Sequence, residues 1–580
     1  MLGRFVLVLH THLPYVLHHC RWPHGMEWLF EAASETYIPL LNVLNELIKD
    51  GYRPKLTISM TPVLAEQIAH PDFVAEFETF LDEEIERCEE DAILFKKNRK
   101  ERELLPLARF WKSYYKQVRY DFTKRYRRDL IGAFRTLADK GCLDIITCGA
   151  THGYFPLLGY DGNISAQIKT AITVHQKHFG RRPQGIWLPE CAYRPRYEWK
   201  PPVGSSTGMK SQMRRGVEEI LADNDLNYFM VDSALVEGGR SIGMYVGRFE
   251  TLRHLMASLE TGAIPIEGSH SVHEVYHVRS SRESNHVPVA IFARDVDTSM
   301  QVWSSEQGYP GGEWYLDFHK KHHQSGHRYW RVTSVHADLG EKVRYEPDRI
   351  ETALDADVDH FVKAVHHALQ SYRDRTGQTG CLTAPFDSEL FGHWWFEGPR
   401  FLKKLLMRLE DDKEIEVNHC AGVLADGVPD RPIAIPEGSW GAGGSHYVWL
   451  NHDVEWMWKR IYKNEARMQE AVRQYADSAD PMVRKLLRQM ARELLLMEAS
   501  DWPFLISTKS ATDYATKRFQ EHHERFEWLV DVLQRTAAGE APSADEQERL
   551  DRIAAEDDIF DSSIIDPRWF LDYTSDAYHS

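Results

Sequence analysis

The chain has 580 residues, 43% of them hydrophobic, and a formal charge of −17, so it can bury a large core and exceeds the size at which one core splits into domains. Its acidic balance argues against a nucleic-acid binder, because phosphate affinity needs a basic field, and no run reaches the ~20 apolar residues of a membrane span. Aromatic residues make up 12%, with 17 Trp and 25 Tyr, more than a core needs and suited to stacking on flat apolar faces such as sugar rings.

Seven short apolar, β-branched runs occur at 5–9, 56–60, 144–148, 185–188, 228–231, 289–293 and 381–384. Most lie between helix-like segments, the pattern of parallel strands with crossover helices. Each is followed by polar or special residues: His10 and His12, Thr61 and Pro62, His152, Glu190, Asp232, Arg294 and Asp295, and Asp387. In a β/α barrel the C-terminal strand ends carry the site, so the recurrence predicts one shared active face. Residues 72–140 lack a convincing strand and carry apolar residues at helical spacing among many charges, which predicts a helical insertion after the second strand. Residues 200–216 and 306–331 read as long loops, a length that is usually functional or disordered. From 451 to about 536 a helical pattern dominates, followed by an Ala-rich stretch with Gly, Pro and Ser at 537–544 that is expected to be loose.

The seven cysteines (Cys20, Cys88, Cys142, Cys148, Cys191, Cys381, Cys420) are odd in number, scattered, and without paired zinc spacing, which predicts free thiols in a reducing compartment. The N-terminal apolar run is too short for a signal sequence and leads into histidines, so a soluble cytoplasmic protein is expected.

Glu190 and Asp387 each follow a strand-like run amid aromatic residues. Cleavage or transfer at a glycosidic bond needs one carboxyl group to protonate the leaving oxygen and another to attack the anomeric carbon or activate water. The alternative is that each caps a following helix. His10, His12 and His152, joined by Asp232 or Asp295, have the side chains of a zinc site, which keeps a metal-dependent deacetylase or α-mannosidase open. Histidines also hydrogen-bond sugar hydroxyls without a metal. Trp22, Trp28, Trp303, Trp394, Trp395, Trp440 and Trp449 are stacking candidates, although most tryptophans are core, Trp394 or Trp395 especially. Trp440 and Trp449 flank Gly441, Ala442, Gly443 and Gly444, a flexible backbone that favours stacking at a groove. The pair Arg294 and Asp295 reads equally as an ion pair or as a device that orients a neighbouring carboxylate. A glycan-binding module without catalysis is a third class, disfavoured by the two carboxylates and the chain length.

Five segments together resemble glycoside hydrolase family 57, and within it the 1,4-α-glucan branching enzymes: HTHLPY at 10–15, GATHGYFP at 149–156, WLPECAY at 187–193, APFDSELFGHW at 384–394 and PEGSWG at 436–441. The resemblance implies a distorted (β/α)7 barrel formed by residues 1–71 and 141–410, a helical insertion at 72–140, and a mainly helical C-terminal domain at 411–580 that contributes to the substrate groove. It implies Glu190 as nucleophile and Asp387 as acid/base, with His10, His12, His152, Asp295 and Trp440 lining the donor site. Trp22, Trp28, Trp303, Trp395 and Trp449 complete the expected binding set. No metal or cofactor is implied; the expected partners are α-1,4-glucans (amylose, amylopectin, glycogen) as donor and acceptor, within glycogen biosynthesis. The family also includes α-amylases and 4-α-glucanotransferases. Its catalytic-loop tyrosine has no motif-anchored counterpart, Tyr245 and Tyr276 being the candidates by position.

Overall fold

The computed structural model describes residues 1–204, 209–239, 249, 251–252, 264–266, 268–281, 286–304, 306–427, 429–561 and 563–572. All seven apolar runs form strands: β1 (Gly3–Thr11), β2 (Leu56–Met60), β3 (Leu143–Ile146), β4 (Gly185–Ile186), β5 (Tyr228–Val231), β6 (Val289–Ala293) and β7 (Gly380–Asp387). One sheet runs β7-β1-β2-β3 and the other contains β6-β5-β4, with every pairing among these strands parallel. Two single parallel bridges, Thr147 to Ile186 and Arg294 to Thr383, link the two sheets at both edges. Strands β2, β5 and β6 are buried along their whole length, as parallel strands covered on both faces require.

Register then decides which side chains meet. His10 lies opposite Asp387 on one side and Ser59 on the other, so the first, second and seventh strands present their C-terminal residues side by side. Strand β4 is only two residues long. Pro189 has no N–H to continue a ladder, and the chain turns there into a short 3-10 segment, Pro189–Cys191.

The insertion is helical, with Pro71–Lys97, Leu105–Tyr120 and Leu130–Asp139 as its main helices. The first buries Phe73, Phe77, Phe80, Leu81, Glu84, Cys88 and Phe95, a stripe at three- and four-residue spacing that faces the body of the protein. Residues 200–216 contain part of an antiparallel hairpin, Tyr197–Trp199 with Gln212–Arg214, rather than loop alone. In the segment read as helical, Ile415–Asn418 pairs with β1. The helices Glu455–Tyr475, Pro481–Met497, Asp501–Ser507 and Thr512–Ala537 follow. The 537–544 stretch is a short link, closed by a capping box in which Ser543 and Glu546 satisfy each other's backbone N–H at the start of Ala544–Glu556. All seven cysteines are free, and six are buried.

The 306–331 segment is a clasp on the insertion. Trp111 Nε1 donates to the Arg328 carbonyl at 2.6 Å, and Arg328 pairs with Glu35 at 2.6 Å. His327 sits between Glu84 (2.9 Å) and Asp91 (3.4 Å) of the insertion helix. Burial alone would lower its pKa, but the bonds to Asp91, Cys88 and Glu84 outweigh burial and hold it well above the ordinary value. The unfolded imidazole titrates near about 6.5. The charged clasp therefore contributes its full stability below that pH and loses it as pH rises through the higher folded value. His327→Gln is expected to lower the melting temperature at about pH 6 and to flatten the decline toward about pH 9; equal losses at both pH values would show that the charge is not what holds the clasp.

Candidate active site

Glu190 is 6% exposed and adopts φ 61°, ψ 26°, a left-handed conformation that non-glycine residues avoid and that concentrates at functional sites. A carboxylate so buried needs donors. Trp440 Nε1 donates to its Oε2 at 2.7 Å, and the Ser500 hydroxyl lies 3.5 Å from its Oε1. The Glu190 carbonyl accepts from the Trp440 backbone N–H at 3.2 Å. Trp440 packs edge to face on Trp187 (5.1 Å) and Trp303 (5.4 Å), so its indole N–H is aimed by two other rings.

Behind Glu190 lies a run of imidazoles. Ser500 Oγ is 2.8 Å from His152 Nδ1, His152 Nε2 is 3.1 Å from His10 Nε2, and His10 Nδ1 is 3.1 Å from Ser59 Oγ. Burial first, and then the nearby imidazoles, push His10 and His152 well below the ordinary histidine range. Both are therefore neutral near pH 7, and only one of them carries a hydrogen between the facing Nε2 atoms. His12 stacks on His152 at 3.9 Å and contacts Asp501 at 2.9 Å.

Asp387 ends β7 with extended backbone, and its side chain makes no cap hydrogen bond to the Ser388–Leu390 turn that follows. The capping role that its position allows is thus not the one it plays. The Cys191 thiol records the surroundings of both carboxylates. Burial pushes it well above its usual range, the Asp232 charge adds to the rise, Arg294 opposes it, and Glu190 and Asp387 raise it further. The Asp232 carboxylate and the Arg294 guanidinium are paired at 2.5 Å.

The expected binding residues separate by environment. His10, His12, His152, Trp303 and Trp440 gather around Glu190. Trp449 is fully buried and stacks on Tyr154 at 4.6 Å; the Tyr154 hydroxyl bonds His446, which pairs with Glu437. Asp295, expected to line the donor site, instead caps the helix Val296–Trp303 through Thr298 and pairs with His273 at 2.9 Å. Burial would raise its pKa, but these hydrogen bonds lower it below the usual carboxylate range. Trp395 is 1% exposed among Tyr315, Phe391 and Phe401, which is a core position. Trp394 stacks on Phe318 of the clasp at 4.3 Å. Trp28 packs beside His24 and Tyr514, and Trp22 is 72% exposed; neither has a ring partner among the residues around Glu190. Tyr276 is occupied by Glu274 and the Ser271 N–H, and Tyr245 lies outside the described residues.

The acid joining the histidines is Asp501, with Asp232 and Asp295 bonded elsewhere. Ligand atoms of His12, His152 and Asp501 lie within 4.8 Å of one another, a donor set able to take a zinc ion. Ser500 and Asp501 escaped sequence reading because the only local signal is a polar pair ahead of a short helix in a region of helical pattern.

Residues 6–436 match glycosyl hydrolase family 57, and residues 460–570 match the C-terminal family of 1,4-alpha-glucan branching enzymes. The chain is 40% identical over 536 residues to a 1,4-alpha-glucan branching enzyme of Thermococcus kodakarensis, covering 92% of this chain and 74% of that protein. The GH57-type branching enzyme of Pyrococcus horikoshii superposes with a TM-score of 0.86 at 38% identity, covering 99% of this chain and 98% of that one. The α-amylase AmyC of Thermotoga maritima superposes with 0.78 at 28% identity, covering 99% and 100%. The buried carboxylate at a strand end, flanked by neutral imidazoles and an indole donor, places the protein in the class of glycoside-bond enzymes. The chain belongs to glycoside hydrolase family 57.

Trp440→Phe keeps an aromatic ring against Trp187 and Trp303 but removes the N–H, and is expected to lower kcat/KM on α-glucan by about 10-fold to 100-fold and to lower the melting temperature, because a buried carboxyl oxygen loses its donor. Ser500→Ala, which removes a longer and weaker contact, is expected to have the smaller effect. The reverse order would identify Ser500 as the principal donor.

Proposed function

We propose that this protein is a retaining 1,4-α-glucan branching enzyme, which cleaves an α-1,4 bond of a donor glucan and transfers the released segment to a 6-hydroxyl of an acceptor glucan. The observation that carries this reading is the arrival of Ser500 beside Glu190 and Asp501 beside His12. Both residues come from the stretch that matches branching-enzyme C-terminal domains. Relatives named as branching enzymes, similar across nearly the whole chain, support it.

In this reading the seven parallel strands and their two bridges form a distorted (β/α)7 barrel from residues 1–71 and 141–410, with a helical insertion at 72–140. Residues 411–580 form a mainly helical domain that completes the groove. Glu190 is the nucleophile: its carboxylate attacks the anomeric carbon while Asp387 protonates the departing glycosidic oxygen, giving a covalent glycosyl-enzyme. Asp387 then removes the proton of the incoming 6-hydroxyl as that oxygen displaces Glu190. Two inversions leave an α-1,6 bond. Neutral His10 and His152 suit hydrogen bonding to sugar hydroxyls, because they add no charge beside a developing oxocarbenium ion. Amylose, amylopectin and glycogen are the donors and acceptors proposed.

Similarity to an α-amylase makes hydrolysis the second reading, and the fate of the glycosyl-enzyme separates the two. Amylose is expected to lose iodine colour with little release of reducing ends and to yield short linear chains on debranching. Reducing ends rising in step with colour loss would show that water is the acceptor. Glu190→Gln and Asp387→Asn are each expected to lower turnover by about 10³-fold or more while preserving the melting temperature. A near-normal rate in either would remove that residue from the chemistry.

A further inference from the structure

Away from Glu190 and Asp387, an open trough of about 680 Å³ lies where three C-terminal helices meet. Its lining comprises Trp456 and Arg460 from the helix Glu455–Tyr475, Ile506 and Lys509 from the end of Asp501–Ser507 and the turn after it, and Thr512, Thr516 and Gln520 from Thr512–Ala537. We propose that this trough is an outer binding site for an α-glucan chain, a site that rests on the glucan reading above and extends it beyond the bond being cleaved.

The lining has the two components that a sugar polymer requires. Thr512, Thr516 and Gln520 fall at i, i+4 and i+8 of the helix Thr512–Ala537 and so repeat about every 6 Å along one face. They form a ladder of uncharged donors and acceptors, with Thr512 and Gln520 exposed and Thr516 half-buried. The lining also has a large aromatic ring held in a set orientation. Trp456 Nε1 donates to the Asp453 carbonyl at 3.0 Å, and the ring packs at 89° to Phe519 with centroids 5.2 Å apart. The Arg460 guanidinium lies 4.8 Å from the ring centroid, a donor group beside an apolar face. Asp453, Arg460 and Lys509 also line the trough, so an acceptor and two charged donors for sugar hydroxyls stand beside the aromatic face.

One helix connects the trough with the active centre: Asp501–Ser507 begins at Asp501, 2.9 Å from His12, and contributes Ile506 to the trough lining, five residues or about 7.5 Å further along its axis. Phe249 packs on Phe504 of this helix at 5.7 Å, and Thr251 Oγ1 donates to the Thr508 carbonyl at 3.1 Å, so residues that follow β5 hold the helix in place.

Binding is measured in the Glu190→Gln background, where turnover does not consume the probe, by retardation in native gels containing glycogen or amylose. Adding Trp456→Ala is expected to weaken retention by about tenfold, the worth of a well-placed aromatic contact, and adding Gln520→Ala by about twofold to threefold. Gln520 is exposed, so its variant tests the site even if Trp456→Ala destabilises the helices. Retention equal to the parent's in both variants would overturn the trough site and leave the branching reading standing. A parent that neither glucan retards would overturn the glucan reading and the site together.

Discussion

The arrangement depends on giving one carboxyl group hydrogen-bond donors where almost no water reaches it. Glu190 is buried, and taking an ionised carboxylate out of water costs several kcal/mol unless donors replace the solvent. The indole N–H of Trp440 and the hydroxyl of Ser500 approach its two oxygens, and they come from segments 250 and 310 residues away along the chain. The left-handed turn at Glu190 brings the side chain to these donors. Its strain persists because Trp440 is tied back through its own N–H to the Glu190 carbonyl. Carboxylate, indole and hydroxyl thus hold one another in place.

The same requirement explains the neutral histidines. A charged imidazole pair at the 3.1 Å separation of His10 and His152 would repel, and burial already disfavours the cationic forms. Both are lowered, and the pair is left with a single shared hydrogen between its Nε2 atoms. Ser59 on β2 and Ser500 from the C-terminal helices close the two ends of this run, so the strand ends and the helical region are joined through hydrogen bonds beside Glu190. The insertion is tied down far from it, through His327, Arg328 and Trp111, by charges and an indole buried against the 306–331 clasp.

The strands were largely legible from sequence because a parallel strand covered on both faces reads as a continuous apolar run, and all seven runs appear as strands. Glu190 and Asp387 were legible because each follows such a run directly, where strand-end residues face a common surface. Asp295 follows a strand in the same way, yet it caps the next helix; a strand-end position does not say whether the side chain turns inward or back onto its own backbone. Trp395 was ambiguous for a related reason, since an indole in a core and an indole under a sugar have the same local sequence. The 200–216 hairpin and the strand at Ile415–Asn418 were missed because two to four residues carry too little periodicity to mark a strand.

The sequence by itself determined the apolar runs, the helical spacing and the motif residues at strand ends, because these depend on neighbours within a few positions. It also determined the family, because the motifs recur in order along most of the chain. Only the tertiary structure decided which side chains share an environment: that Trp440 serves Glu190 as a hydrogen-bond donor, that Ser500 lies beside Glu190 and Asp501 beside His12, and that Asp295 caps the helix after it. Those outcomes follow from burial and from donors meeting acceptors across hundreds of residues, and no local pattern encodes a partner at that distance.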